Sequence, residues 1–190
     1  MGLKKAAIRS VVIMIILALS VAIGFAYHLI WRQIDLKNHP REYSEWVSNY
    51  SEKFGVPEYV VYAVIKTESG FQSNKVGEDG AVGLMQITPA RFSRLLTMTK
   101  ATLDAGILYD PETNVEYGTY YLSYLYTQYN RWDMVFSAYA SDESTVEGWR
   151  NNPEYTDGNR NLKEIPDEDV RSYVDRVNKA IEVYKRLYYN

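Results

Sequence analysis

The chain has 190 residues, of which 46% are hydrophobic, 14% aromatic and 24% charged, enough apolar material for one packed domain and too much for a disordered chain. The absence of cysteine excludes disulfide scaffolds, cysteine-ligated zinc, iron–sulfur clusters and thiol nucleophiles. The formal net charge is −3, but from Asn38 onward 16 basic residues stand against 23 acidic ones, a net charge of −7. An acidic body repels phosphate backbones, so nucleic acid is not an expected partner.

The first predicted element is a membrane-spanning helix. Residues 11–31 contain no formally charged side chain, and about 20 apolar residues suffice to cross a bilayer. We therefore predict a cytoplasmic N-terminus at 1–10, a transmembrane anchor at 11–31 and a linker at 32–40. The basic residues of the first segment place the rest of the chain on the outer face of the cytoplasmic membrane. A cleaved signal peptide is the alternative, although its small-residue cleavage site would fall inside the apolar run.

Residues 41–190 are predicted to form one mainly α-helical domain, because apolar residues recur at helical spacing between turn residues. Thr88-Pro89 and Asp110-Pro111 each place a capping side chain before a proline, which is typical of a helix start. Asp79-Gly80 in the turn-rich segment 70–83 predicts at most one small β-hairpin. The predicted helices are 41–54, 58–69, 88–96, 110–129, 132–140 and 167–188.

Glu68 is the first residue that indicates chemistry. It continues the apolar stripe of Val61, Val64 and Ile65 at positions i, i+3, i+4 and i+7, so its carboxyl group is expected on the buried face of the helix. Burial raises the pKa of a carboxyl group, which suits a general acid near neutral pH. A glutamate at a frayed helix end that turns toward water is the structural alternative.

Several sequence blocks accompany Glu68 in a fixed order. Glu68-Ser69-Gly70-Phe71 is followed by Gly83-Leu84-Met85-Gln86-Ile87-Thr88-Pro89. The later blocks are Asp110-Pro111-Glu112-Thr113-Asn114, Tyr117-Gly118, Tyr121-Leu122, Ala138-Tyr139 and Tyr173-Val174. This pattern resembles the signature of the soluble-type lytic transglycosylases, which share a fold with goose-type lysozyme. The resemblance extends from about residue 41 to residue 184 and implies a lysozyme-like helical domain.

The resemblance implies that Glu68 is the single catalytic acid. It also implies that Ser69 reaches the substrate or orients the carboxyl group, that Gly83 lets the backbone approach the sugar, and that Gln86 bonds to an acetamido group. For the methionine and the tyrosines in the set, core packing is the alternative reading. The implied substrate-binding residues are Ser69, Gly83, Met85, Gln86, Tyr139 and Tyr173.

The chain departs from the family at Ala140, where the family usually has asparagine after Ala-Tyr. Any hydrogen bond made by that amide is absent, and Asp142 or the pair Asn151-Asn152 could replace it. The departure leaves open a catalytically weak module that binds the cell wall and recruits partners, such as cell-wall synthesis or secretion machinery.

The reaction implied by the family needs one carboxylate. Glu68 would cleave the glycosidic bond of peptidoglycan strands and form a 1,6-anhydro sugar. A hydrolytic muramidase would instead need a second carboxylate, for which Glu78 and Asp79 are the near candidates. With two histidines and no cysteine, neither a metal site nor a cofactor is expected.

Overall fold

The computed structural model describes the backbone of residues 2–157 and 159–189 and the side chains from residue 12 onward within these ranges. It divides into two compact units, one ending at Pro40 and one beginning at Arg41. The first unit is dominated by helix α1, Gly2–Asn38. Its part from Val12 onward is apolar, with a mean hydropathy of 2.4, and is long enough to cross a membrane.

The segment 32–40, predicted as a linker, is helical as far as Asn38. It contains no glycine, and its only proline is its last residue, Pro40. Nothing in its composition therefore stops the helix earlier. The apolar run ends where the polar segment 32–40 begins, but helix α1 continues into that segment as far as Asn38.

The second unit consists mainly of helices, as predicted. After α2, Ser44–Phe54, and α3, Glu58–Glu68, the chain forms α4, Pro89–Thr99, and α5, Pro111–Tyr129. It continues with α6, Trp132–Ala140, α7, Glu143–Arg150, and α8, Glu168–Tyr184. Short 3₁₀ turns occupy Glu78–Gly80 and Ala105–Tyr109, and a π-helical turn at Lys185–Tyr189 follows α8.

The predicted capping residues account for the helix starts. Thr88 accepts a hydrogen bond from the backbone N–H of Arg91, and Asp110 accepts one from that of Thr113, so each satisfies an N–H that the first turn leaves free. Helix α2 starts three residues later than predicted because Tyr43 adopts a left-handed conformation, with φ of 59°. Helix α7 was not predicted.

Helix α3 lies at the centre of the domain and packs against α8 and α2. All six residues from Val60 to Ile65 are buried, so α3 is covered on every face and not only on the stripe seen in the sequence. Helix α5 packs against α2 and α6, and α6 packs against α8. Glu68 is the last residue of this central helix, where it leaves the core.

The segment after α3 forms a compact loop. Asp79 and Gly80 have φ of 55° and 71°, which is the pattern of a tight hairpin turn, and single antiparallel bridges join Val76 to Val82 and Val82 to Ile87. Extended strands are absent from the described part of the chain. The predicted hairpin is therefore reduced to its turn and isolated bridges.

Candidate active site

An open cleft of about 590 Å³ lies at the end of α3. Its walls come from the end of α3, the loop 75–88, the start of α4, the end of α6 and the start of α8. Of the seven site residues named from the sequence, four line this cleft: Glu68, Gln86, Tyr139 and Tyr173. The sequence analysis did not single out Lys75, Arg91 and Asp169, which line it as well.

The carboxyl group of Glu68 is held by Tyr173. The Tyr173 hydroxyl donates a 2.7 Å hydrogen bond to Oε1 of Glu68, across 105 positions of sequence. Burial raises the pKa of Glu68, whereas the Tyr173 hydrogen bond and the charges of Arg91, Lys75 and Arg176 lower it, and the balance leaves it above its usual value. Glu68 therefore retains its proton to a higher pH than an exposed glutamate, as a general acid requires.

Lys75 closes the end of α3. Its Nζ donates a hydrogen bond to the backbone carbonyl of Glu68, one of the carbonyls that a helix C-terminus leaves without an intrahelical partner. This contact fixes the backbone of the acid to the loop that follows it.

Tyr139 connects α6 to the loop opposite the acid. Its side chain is buried, and its hydroxyl donates a 2.7 Å hydrogen bond to the carbonyl oxygen of Met85. A buried tyrosine hydroxyl needs such a partner. Tyr139 therefore fixes the position of the neighbouring residue Gln86.

Asn114, on α5, organises the same loop from the inside. It is fully buried, its Nδ2 donates to the carbonyls of Val82 and Leu108, and its Oδ1 accepts from the N–H of Met85 at 2.8 Å. All three partners are backbone groups of turns. The sequence analysis quoted Asn114 within a motif but assigned it no role.

Gly83 packs closely against Asn114. Its φ is 84°, and a Cβ atom added to it would lie 2.1 Å from Nδ2 of Asn114. Met85 is fully buried, with its side chain against Gly118, where an added Cβ would lie 2.3 Å from the Met85 sulfur. Neither residue lines the cleft, and the sugar contacts that the resemblance implies for them stay predictions.

Ser69 is buried in the turn that follows α3. Its side chain is 1% exposed, and its hydroxyl donates to the carbonyl of Ile65 and accepts from the N–H of Phe71. These bonds stabilise the turn after α3. The hydroxyl is thus committed to the backbone and is not directed at the cleft.

Gln86 lines the cleft, but its amide nitrogen is already bonded. Nε2 donates to the carbonyls of Lys75 and Gly83 at 3.1 and 2.8 Å. An amide nitrogen has two hydrogens, so both are used. Oε1, which lies over Gly77, remains as the acceptor that Gln86 can offer to a ligand.

The residues proposed to replace the missing asparagine at position 140 are Asp142, Asn151 and Asn152, and none of them lines the cleft. Ala140 itself is exposed in the cleft wall. Asp142 caps α7, and its hydrogen bonds from the Ser144 hydroxyl and the N–H of Thr145 lower its pKa. Asn152 accepts from the N–H of Glu154.

A larger concavity of about 760 Å³ beside α7 lacks the acid. Its charged groups pair with one another: Arg94 with Glu143, and both Arg150 and Arg160 with Glu147. Among the residues that the structure describes, no group of three or more His, Asp and Glu side chains is placed to hold a metal ion.

Comparison with known proteins shows the family of this chain. The model of the transglycosylase SLT domain matches residues 45–162, more than half of the chain. The chain belongs to the transglycosylase SLT domain family. The resemblance found from the sequence blocks is thereby confirmed.

Relatives in this family include soluble and membrane-bound proteins. The chain is 29% identical to the soluble lytic murein transglycosylase of Escherichia coli, over 84% of this chain and 25% of that protein. It is 28% identical to the membrane-bound lytic murein transglycosylase C of Pectobacterium atrosepticum, over 84% of this chain and 53% of that protein. The chain thus spans about a quarter to a half of the length of these relatives.

The fold agrees with a solved SLT structure. The 70 kDa soluble lytic transglycosylase of Escherichia coli superposes with a TM-score of 0.74 and 28% identity, covering 82% of this chain and 26% of that one. The predicted mainly α, lysozyme-like fold is therefore confirmed.

Proposed function

We propose that this chain is a membrane-anchored lytic transglycosylase that cleaves the β-1,4 bond between N-acetylmuramic acid and N-acetylglucosamine in peptidoglycan. The observation that carries the proposal is the carboxyl group of Glu68, half-buried at the edge of the cleft with a raised pKa and a hydrogen bond from Tyr173. The names of the relatives, lytic murein transglycosylases, support the substrate class.

The proposed reaction uses Glu68 twice. The protonated carboxyl group first donates its proton to the glycosidic oxygen, and the N-acetyl group of the substrate helps to stabilise the cationic intermediate. The carboxylate then accepts the proton of the C6 hydroxyl of the same muramic acid, and that oxygen bonds to C1. The product is a 1,6-anhydro sugar, and the intramolecular attack benefits from a hydroxyl that is already positioned.

The surroundings of Glu68 suit both protonation states. Burial favours the neutral acid that begins the reaction, whereas the Tyr173 hydrogen bond and the nearby positive charges favour the carboxylate that follows. A group that acts first as an acid and then as a base works best when its pKa lies near the pH at which the reaction takes place. No second carboxylate is needed in this scheme.

A hydrolytic muramidase is the second candidate, because Glu78 and Asp79 both line the cleft. Either could activate a water molecule if it faced the bond from the side opposite Glu68. Both belong to the turn Glu78–Gly80, however, and neither has a hydrogen bond within the described part of the chain that would fix its carboxylate.

Substitution of these two residues separates the candidates. We expect Glu78→Gln and Asp79→Asn to retain cleavage of purified sacculi within a few-fold of the unmodified protein, since the proposed scheme assigns them no proton transfer. Release of soluble muropeptides over time is the measurement. Loss of release in either variant, with the fold intact by circular dichroism, would establish the muramidase reaction instead.

A wall-binding module without activity is the third candidate, favoured by Ala140 in the cleft wall. Such a module would bind sacculi and release nothing. The intact arrangement of Glu68 and Tyr173 supports the enzyme, because a binding module gains nothing from a buried carboxyl group. Recruitment of cell-wall synthesis or secretion machinery is compatible with either candidate.

The anchoring proposal rests on α1, whose apolar side chains from Val12 to Trp31 are exposed. We propose a single pass with the N-terminus in the cytoplasm and the SLT domain on the outer face, because the basic residues precede the apolar run. A membrane-bound relative supports this placement.

The anchor makes a direct prediction for the protein in cells. The full-length chain should remain in the membrane fraction after a carbonate wash and be extracted only by detergent, because an apolar run of this length inserts effectively irreversibly. Immunoblotting of the fractions is the measurement. A shortened form in the soluble fraction would indicate a cleaved signal peptide.

A further inference from the structure

Arg91 is a cleft residue to which neither the sequence blocks nor the proposed reaction assigns a positioning role. It lies in the first turn of α4, where its backbone N–H donates to the capping hydroxyl of Thr88. Its side chain is half-buried and lines the same cleft as Glu68. A guanidinium group is always charged, so Arg91 brings a permanent positive charge to this wall.

The guanidinium group holds the end of α6. Nη2 donates to the carbonyl oxygens of Tyr139 and Ser141 at 3.1 and 3.5 Å, the two residues that flank Ala140. Its central carbon lies 4.7 Å from the ring centroid of Tyr121 and 5.1 Å from that of Tyr139, within the range of cation–π attraction. Arg91 therefore joins α4, α5 and α6 at the cleft wall in which the family amide is missing.

The charge of Arg91 is not neutralised by an ion pair. None of the ion pairs among the described residues includes it, although Arg94, one turn further along α4, is paired with Glu143. The carboxyl group that responds to Arg91 is Glu68, whose pKa it lowers.

We propose that Arg91 is a positioning residue of the reaction: it holds the Tyr139–Ser141 wall of the cleft, and it places a permanent positive charge in the same cleft as the carboxyl group of Glu68. This role of Arg91 rests on the proposed function. It differs from that of Tyr173, which touches the carboxyl group directly.

Other groups also act on the ionisation of Glu68. Tyr173 donates a hydrogen bond to Glu68, and the positive charges of Lys75 and Arg176 lower the pKa of Glu68. Burial raises the pKa of the Tyr139 hydroxyl, and the nearby charge of Glu68 raises it further. Because these groups remain in an Arg91 variant, loss of Arg91 shifts the titration of Glu68 upward without abolishing it. The titratable and charged groups that line the cleft with Glu68 are Lys75, Glu78, Asp79, Arg91, Tyr139, Asp169 and Tyr173, and Arg176 on α8 acts on it through its charge.

The experiment compares Arg91→Gln, Arg91→Lys and the control Arg94→Gln in the full-length protein in detergent micelles, with soluble uncrosslinked peptidoglycan strands as substrate. For each variant, kcat and KM are measured across the pH range. Arg91→Gln should lower kcat about 10- to 100-fold, as expected for a misplaced cleft wall. It should also move the alkaline limb of the pH profile to higher pH, because Glu68 then keeps its proton longer.

The control variants separate charge from geometry. Arg91→Lys keeps the charge, so its alkaline limb should stay near that of the unmodified protein while kcat falls, since lysine lacks the planar donor that spans two carbonyls. Arg94→Gln should retain both the limb and kcat. If Arg91→Gln does not fold, Arg91→Lys decides. A lowered kcat with an alkaline limb that has not moved supports the proposal, whereas an unchanged kcat in Arg91→Lys overturns it.

The role of Arg91 would be overturned if Arg91→Gln left both the alkaline limb and kcat unchanged. It would also be overturned if Arg94→Gln lowered kcat and moved the limb as Arg91→Gln is expected to do. A purely structural role would lower the yield or thermal stability of Arg91→Gln and leave the limb where it is, which would overturn the proposal too. Failure of the unmodified protein to cleave the strands would instead reject the proposed function.

Discussion

Glu68→Gln is expected to abolish turnover while the protein remains folded. Glutamine preserves the shape of the side chain and can still accept the Tyr173 hydrogen bond, but it can neither donate nor accept the proton. General acid–base catalysis contributes about 100- to 10,000-fold per transfer, and both transfers depend on this one group. We therefore expect at least a ~1,000-fold loss in the rate of muropeptide release from purified sacculi.

The matched control is Glu182→Gln, which removes a glutamate from the exposed side of α8 and should leave the rate unchanged. Circular dichroism of both variants checks the fold. Residual cleavage by Glu68→Gln within tenfold of the unmodified protein would mean that another group supplies the proton.

The same substitution also makes the stability less dependent on pH. Since the pKa of Glu68 is raised in the folded protein, the folded state keeps a proton that the unfolded state has lost. The stability contributed by the protonated form is complete below the usual pKa of glutamate and declines as the pH rises through the raised one. At a pH above the raised pKa, Glu68→Gln should therefore unfold at a higher temperature than the unmodified protein. At a pH below the usual pKa of glutamate, the difference between the two unfolding temperatures should be smaller.

Gly83→Ala is expected to produce the largest loss of stability. Alanine at a φ of 84° costs about 1 to 2 kcal/mol, and its Cβ would lie 2.1 Å from the Nδ2 of Asn114, which adds about 1 to 3 kcal/mol of overpacking. The free energy of unfolding should thus fall by about 2 to 5 kcal/mol, as measured by denaturant titration. Cleavage should fall too, because Asn114 holds the N–H of Met85 beside Gln86.

Gly148→Ala is the control for this substitution. Gly148 lies within α7 and an added Cβ meets nothing within 4 Å, so alanine should stabilise the protein by about 0.5 to 1 kcal/mol through its higher helix propensity. Equal stability of the two variants would show that Asn114 can move aside at little cost and that the loop is not held as described.

Local sequence signals were sufficient for most of the helices. Thr88 and Asp110 each carry a capping oxygen and are followed by proline, so two helix starts could be predicted to the residue. Helix α7 could not be predicted, because Val146 is its only buried residue and no apolar period was visible. Helix α1 continues to Asn38 through polar residues, so the end of the apolar run does not mark the end of the helix.

Glu68 could be named as the candidate acid from the sequence, because the blocks around it resemble a family signature and its position on an apolar stripe is a local property. Its partners could not. Tyr173 reaches Glu68 across 105 positions, and Arg91 reaches Tyr139 across 48, so these contacts depend on how the helices pack. Asn114 gave no signal either, since its three partners are backbone groups whose positions depend on the fold.

The resemblance named a set of site residues, but it did not separate those that stabilise the loop from those that line the cleft. Gly83 and Met85 hold the loop from within the core, and Ser69 closes the turn after α3. These three residues do not line the cleft, whereas Gln86, Tyr139 and Tyr173 do, and which residues line the cleft depends on tertiary packing. A motif shared with a family predicts that a residue is needed without indicating the face from which it acts.

Mass spectrometry of the muropeptides released from purified sacculi by the full-length protein tests the central claim most directly. Acid and base catalysis by Glu68 alone predicts products that end in 1,6-anhydro-N-acetylmuramic acid, lighter by one water molecule than hydrolytic products and resistant to borohydride reduction. Products with a reducible N-acetylmuramic acid end would contradict the account and show that water, activated by a second group, attacks the bond.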